Sequence, residues 1–264
     1  ISKTKAMVFH SAKRTISLPD LVMEETPIEF VNEFNFLGLI IDKNLKWKPH
    51  IDNISKKMSK TTGIMNRLKN FVPSEVLHII YNSLILSYLN YGLIIWGWKA
   101  NKLIKLQKKS LRIIAKAKYN AHTSPLFKYY NILKIPDLCA LQDLKFCYKL
   151  NNNMLPLYFY SEKFLLYNYS HNYPTRHSNR NLPVPAVRHD FARNGMSYRY
   201  PIVFNDMSSK YKDKIFTHSF DGFKFYVKQN LTDQYEINCS ISNCYICGSS
   251  VSSCDPEAVL HSGR

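Results

Sequence analysis

Acidic residues are scarce in this 264-residue chain, where 19 Asp and Glu face 36 Lys and Arg for a formal net charge of +17. None of the 11 aspartates adjoins another. Adjacent aspartates, of the kind that hold two divalent metals on a phosphate and an attacking hydroxyl, are therefore missing. The 8 glycines are dispersed, which excludes a glycine-rich loop cradling phosphates. Neither G-x-S-x-G nor H-E-x-x-H occurs, which argues against a nucleophile elbow and a zinc-protease helix. No residue stands out as an acid, a base or a nucleophile. The opening Ile1-Ser2-Lys3-Thr4-Lys5 has no apolar core and no small-residue cleavage site, so it is not a secretion signal. It reads as a cut through a longer chain.

Long apolar runs are also few. The longest uncharged stretch, Val76 to Trp98, has the length of a bilayer span. His78, Asn82, Ser83, Ser87 and Asn90 interrupt it, and interior polar groups are costly in hydrocarbon. A buried helix is the expectation, with no membrane partner.

The positive charge is local. Residues 43 to 149 hold 20 of the Lys and Arg, against Asp52, Glu75, Asp137 and Asp143. The rest of the chain is nearly neutral. A confined basic region draws polyanions through its field and through release of condensed counterions, so nucleic acid is the expected partner.

Hydrophobic period separates the chain into an α+β start and a helical continuation. Residues 6 to 9 read as a short strand, and 28 to 34 alternate like a half-buried one. Phe36 to Ile41 reads as a buried strand ending at Asp42, with Gly38 marking a bulge or a close backbone approach. Ile51, Ile54, Met58, Thr61, Met65 and Leu68 are spaced by three and four, one face of a helix. Lys56, Lys57, Lys60, Arg67 and Lys69 avoid that face. Ser74 is the expected cap of a helix over 75–91. A further helix over 101–118 carries Leu103, Leu106, Ile113, Ile114 and Ala117 inward, and Lys102, Lys105, Lys108, Lys109, Arg112 and Lys116 outward. Another over 137–151 turns Leu138, Leu141, Leu144 and Tyr148 inward. Residues 155–201 are expected to form loops and short strands, and 216–230 to contain one more helix.

Trp47 stands between Lys46 and Lys48. A ring flanked by cations suits stacking on a base while the ammonium groups meet phosphates. A core tryptophan at a strand–helix junction is the equal alternative. In the tail, Cys239, Cys244, Cys247, Cys254 and His261 include one short Cys-x-x-Cys pair. That set is a zinc candidate, and a serine-rich tail without metal is the alternative. Without a secretion signal a reducing compartment is assumed, so disulfides are not expected.

Several blocks recur in an order that resembles the non-LTR retrotransposon reverse transcriptases of the jockey-like kind. They are Phe36-Leu37-Gly38-Leu39-Ile40-Ile41-Asp42, Leu45-Lys46-Trp47-Lys48-Pro49-His50-Ile51 and Leu84-Ile85-Leu86-Ser87-Tyr88-Leu89-Asn90-Tyr91-Gly92. Leu106-Gln107-Lys108-Lys109-Ser110-Leu111-Arg112-Ile113-Ile114, Asn120-Ala121-His122-Thr123-Ser124-Pro125-Leu126-Phe127 and Leu133-Lys134-Ile135-Pro136-Asp137-Leu138 continue the likeness. Ser2-Lys3-Thr4-Lys5 resembles the end of the family's palm. The resemblance implies that Phe36, Leu37 and Gly38 belong to the primer-grip strand, and that the residues after it form the helical thumb on the template–primer duplex. It also implies that the metal-binding aspartates, with their magnesium, lie upstream of Ile1. Over 155–238 the likeness is looser, with Phe204 where the family has tryptophan.

The expectation is thus an α+β chain in four parts. Residues 1–46 would be the end of a palm with its primer-grip strands, and 47–150 a basic, thumb-like helical bundle. Residues 151–238 would be an irregular C-terminal domain, and 239–264 a Cys- and Ser-rich tail. By the resemblance it is a C-terminal fragment of an RNA-directed DNA polymerase, without the catalytic aspartates and inactive alone. It would hold an RNA–DNA hybrid next to an upstream palm and fingers. The location would be the nucleus or a cytoplasmic ribonucleoprotein. A stand-alone nucleic-acid-binding protein derived from a mobile element is the alternative.

Overall fold

The computed structural model describes residues 4–10, 17, 20–160, 182, 184–188 and 190–235. The tail residues Cys239, Cys244, Cys247, Cys254 and His261 lie outside the described residues. Among those described, helices predominate and the strands are short.

The first part is three two-stranded ribbons. In chain order the strands are β1 (Lys5–Ala6), β2 (Val22–Met23), β3 (Thr26–Pro27), β4 (Glu29–Phe30), β5 (Glu33–Phe36) and β6 (Leu39–Asp42). β1 pairs parallel with β4, β2 antiparallel with β3, and β5 antiparallel with β6. The alternation over 28–34 is therefore split between two strands.

Phe36 to Ile41 is not one buried strand. Phe36 pairs with Leu39, so Leu37 and Gly38 are a two-residue hairpin turn. Both have positive φ, 48° and 83°. That is the geometry that matches the twist of the flanking strands. Gly38 adopts it without strain, while Leu37 is an unusual occupant. The sequence hides the turn because its first residue is apolar.

The helical part begins with α1 (Lys48–Leu68). Ile51, Ile54, Met58, Thr61 and Met65 are buried, as their spacing predicts. Next come α2 (Ser74–Ile80), a π-helical segment (Tyr81–Leu86) and α3 (Ser87–Asn90), which run on as one helix. Ser74 is its first residue and not its cap; that position falls to Pro73. Leu77, Tyr81, Ile85 and Leu89 are buried at every fourth position. In a pure α-helix such a stripe would drift by about 40° per step. The wider π turns take up that drift and keep the stripe facing the core.

At Tyr91–Gly92 the chain bends and continues as α4 (Leu93–Trp96), a 3-10 segment (Gly97–Leu103) and α5 (Ile104–Ile114). The helical run thus starts well before residue 101 and stops four residues short of 118. Among the described residues no single helix is long and apolar enough to cross a membrane. Ser74–Asn90 and Leu93–Ile114 pass that test together, but are bent by 54° at their junction.

α6 (Ser124–Tyr129) and α7 (Ile135–Asn151) follow. Pro136 sits in the first turn of α7, where its missing N–H costs nothing. Leu138, Leu141, Leu144 and Tyr148 are buried, as expected.

Beyond a short 3-10 turn (Leu157–Tyr160), the described C-terminal part is helical. It comprises α8 (Asp190–Arg193), α9 (Met196–Asp206), α10 (Ser209–Thr217) and α11 (Phe220–Asp233). α11 matches the helix expected within 216–230, while the expectation of loops and short strands over 155–201 fails from residue 190 to 201. Tyr, Pro and Asn blur the helical period there, and Pro201 lies inside α9.

α9 and α11 pack on α7. Arg199 in α9 bonds the Asp143 carboxylate in α7 and donates to the Ile94 carbonyl at 2.9 Å. Both members of the pair are largely buried. Burial raises the Asp143 carboxyl above its ordinary range, while Arg199 pulls it back. Tyr235, just after α11, donates to Asp137 and accepts from the Lys134 amide at 2.9 Å.

Gln107 is a buried polar hub. Its amide donates to the Tyr81 hydroxyl (3.0 Å) and the Leu133 carbonyl (2.9 Å), and accepts from the Ile135 amide (3.1 Å). A fully satisfied buried network of this kind fixes one arrangement of the helices around it.

Candidate nucleic-acid interface

α1 carries its charge away from the core. Lys56, Lys60 and Arg67 lie four and seven residues apart and are exposed. That spacing lines them up on one face, and the buried stripe of Met58 and Met65 lies on the other. Gly63, between them, has open space around it. Lys57 sits about a quarter turn off this face and leans over the Tyr88 ring at 5.4 Å. Lys69, past the helix end, is half-buried.

On the second basic helix Lys102, Lys105 and Lys109 are exposed and Lys108 is half-buried. Lys116 is exposed just beyond it. Arg112 has a structural task as well. Its Nε donates to the Ala121 carbonyl at 2.8 Å, and burial lowers the pKa of its guanidinium. The two helices are joined through Thr62 and Ser110, whose hydroxyls meet at 2.8 Å. That contact lies across α1 from Lys56, Lys60 and Arg67. The basic residues thus form two stripes, one on each helix.

Trp47 resolves to the core alternative. It is 7% exposed and meets the His50 ring edge-on at 6.2 Å. Stacking on a base needs an open ring face, so Trp47 is removed from the contact set. Lys46 and Lys48 remain exposed on either side of it. What places them is Asp42, whose carboxylate accepts from the Lys46 amide (3.0 Å) and the Trp47 amide (2.7 Å). Asp42 ends β6 and holds the turn that leads into α1. Nothing in the sequence around Asp42 distinguishes it from an ordinary strand-end aspartate.

The hairpin tip that contains Phe36, Leu37 and Gly38 projects outward. Phe36 is 54% and Leu37 74% exposed. The Tyr91 hydroxyl donates to the Leu37 carbonyl, and Gly38 lies against the Tyr91 ring. The tip is thus held by the junction of the two helical runs. The close approach read from Gly38 is real, at a turn instead of within a strand.

His50 ties the hairpin to α1. Its Nδ1 accepts from the Ile40 amide at 3.3 Å, and its ring meets Trp96 at 5.2 Å. Burial, with Lys57 adding repulsion, lowers its pKa below the ordinary histidine value. A lowered folded-state pKa means the unfolded chain binds the proton more readily. The resulting stability is present above about pH 6.5 and lost as the solution is acidified below it. Thermal melts of the native chain and of His50→Gln should therefore converge as pH falls from 7 to 5. Parallel melting curves across that range would refute this role.

Cys139 and Cys147 are free thiols, raised by burial to about 11 and about 12, hence protonated and poor metal ligands. Among the described residues no group of three or more His, Cys, Asp or Glu could hold a metal ion.

Comparison with known proteins points to one class, the RNA-directed DNA polymerases of mobile elements. The chain is similar to the RNA-directed DNA polymerase from mobile element jockey of Drosophila melanogaster, with 28% identity over 149 residues. The match takes in 53% of this chain but 16% of that protein, so the chain spans a small part of its relative's length. This likeness supports a jockey-like reverse transcriptase relationship. No family model matches the chain, and no solved structure matches it.

Proposed function

We propose that this chain is the part of a mobile-element reverse transcriptase that grips the template–primer hybrid. In this reading it lies C-terminal to the palm and fingers, which carry the catalytic aspartates and their magnesium. The observation that carries the proposal is the exposed line of Lys56, Lys60 and Arg67, set opposite the packed face of α1. Such a line meets phosphates without reading bases, so it suits a hybrid of any sequence. Lys102, Lys105 and Lys109 would supply a second line on the neighbouring helix. The hairpin tip of Phe36, Leu37 and Gly38 would support the primer end. Holding that end in place is worth up to about 7–11 kcal/mol of the barrier with no bond-making residue in this chain.

The test is a salt titration. Binding of the full chain to an RNA–DNA hybrid is expected to weaken linearly in log–log terms, with a slope of about −3 or steeper. The same material is expected to extend no primer when given magnesium and nucleotides. A flat salt response would remove the grip, and primer extension by pure protein would overturn the division of labour.

A further inference from the structure

Each basic helix ends in a turn that lifts one aromatic ring into solvent. Phe71, after α1, is 85% exposed, and Tyr119, after α5, is 89% exposed. These are among the most exposed large side chains in the described chain, in a protein that buries Trp47, Tyr81, Trp96 and Phe127.

The two rings stand at the same end of the bundle. Near the start of α1, His50 meets Trp96 near the start of the second helical run, 5.2 Å between rings. Towards the ends, Thr62 meets Ser110 at 2.8 Å. The contacts advance together along both chains, so the helices run parallel and finish side by side.

Both turns are fastened. The Phe71 and Val72 amides donate to the Leu68 carbonyl at 2.8 and 3.1 Å, and Pro73 follows. After α5, the Lys116 amide bonds Ile113 at 3.1 Å and the Ala117 amide bonds Arg112 at 2.9 Å. That is a Schellman ending, with Lys116 at φ 50° where glycine is usual. Arg112 then clasps Ala121, and the Ala121 amide donates to Lys118 at 3.0 Å. The rings are therefore presented on set backbone, which lowers the ordering cost of a contact.

The charge around them is positive. Arg67 and Lys69 precede Phe71, and Lys116 and Lys118 precede Tyr119. Glu75 is the acid next to the first turn, and no acid occurs between it and Asp137. Open aromatic faces among cations suit unpaired bases, whose own faces are free, with their phosphates on the cations. Paired bases inside a duplex offer no such face along their length.

We infer that this end of the bundle is a stacking site for single-stranded nucleic acid, with Phe71 and Tyr119 as its platforms. It rests on the nucleic-acid reading above but takes a different ligand from the helix stripes. A strand leaving the hybrid would be held there.

The test compares a short oligouridylate with an RNA–DNA hybrid, using the full chain. Phe71→Ala and Tyr119→Ala are each expected to weaken oligouridylate binding by roughly 5- to 100-fold. Hybrid binding should stay within about twofold, because the phosphate contacts are untouched. Tyr119→Phe should bind like the native chain, since the ring and not the hydroxyl does the stacking. The inference fails if both alanine variants bind the single strand normally, or if strand and hybrid binding fall equally. It also fails if the variants lose binding only to phosphatidylserine vesicles, which would make the rings a membrane contact. If the alanine variants bind the single strand normally while the native chain still binds the hybrid, this inference falls alone. If the native chain binds neither probe, the grip reading falls with it.

Discussion

Asp143→Leu is expected to destabilise the fold by about 3–5 kcal/mol, and by more than Arg199→Met does. The two residues form a largely buried ion pair that joins α9 to α7, and removing either leaves the other uncompensated. The consequences are unequal. An arginine cannot shed its proton, so Arg199 without Asp143 remains a largely buried charge, left with the Ile94 carbonyl among the described residues. A carboxyl can neutralise itself, and burial already raises that of Asp143. In Arg199→Met it becomes a group with a raised folded-state pKa and no counter-charge. Such a group contributes stability below its unfolded pKa and loses it as pH rises through the folded value. The deficit of Arg199→Met should therefore shrink as pH falls from 7 toward 4, while that of Asp143→Leu should not. The double variant should cost less than Asp143→Leu alone. Denaturant midpoints across pH, at constant slope against denaturant, make the comparison. A larger loss for Arg199→Met at pH 7 would contradict the argument.

The second large effect concerns binding. Lys56→Glu, Lys60→Glu and Arg67→Glu together should reduce affinity for an RNA–DNA hybrid by about 100-fold or more near 0.1 M salt. The log–log salt slope should become shallower by about 3, one for each lost phosphate contact. Because all three side chains are exposed, melting temperature should hardly move. Reversing Lys102, Lys105 and Lys109 instead tests the second stripe independently. An unchanged slope for the α1 triple variant, with unchanged affinity, would show that the hybrid does not lie along α1.

How far these features could be read in advance depended on their range. The spacing of Ile51, Ile54, Met58, Thr61 and Met65 predicts both the helix and its inward face, because the period of a helix is a local property. The exposed positions of Lys56, Lys60 and Arg67 follow from the same periodicity. Leu37-Gly38 was misread because an apolar residue at positive φ gives no local turn signal. The helix within 216–230 was legible, whereas α9 was missed because Pro201 and its Tyr residues blur the helical period, and packing on α7 stabilises it instead.

Residues that act across the fold left no trace in the sequence. Gln107, Asp143 and Arg199 look like ordinary polar residues on helices. Their bonds span 26 to 105 positions, and only the folded chain brings their partners near. Asp42 bonds amides four and five residues on, yet its role depends on a turn that the pattern does not announce.

By itself the sequence determined where the charge lies, that α1, the helix from Ser74 and α7 are helical, and which sides of those helices are apolar. Those follow from composition and from periods a few residues long. The tertiary structure alone decided that Trp47 is core, that the two basic helices run parallel, and that Phe71 and Tyr119 emerge at one end. Each of those depends on contacts between residues far apart in the chain, and such contacts are settled by packing and not by any local preference.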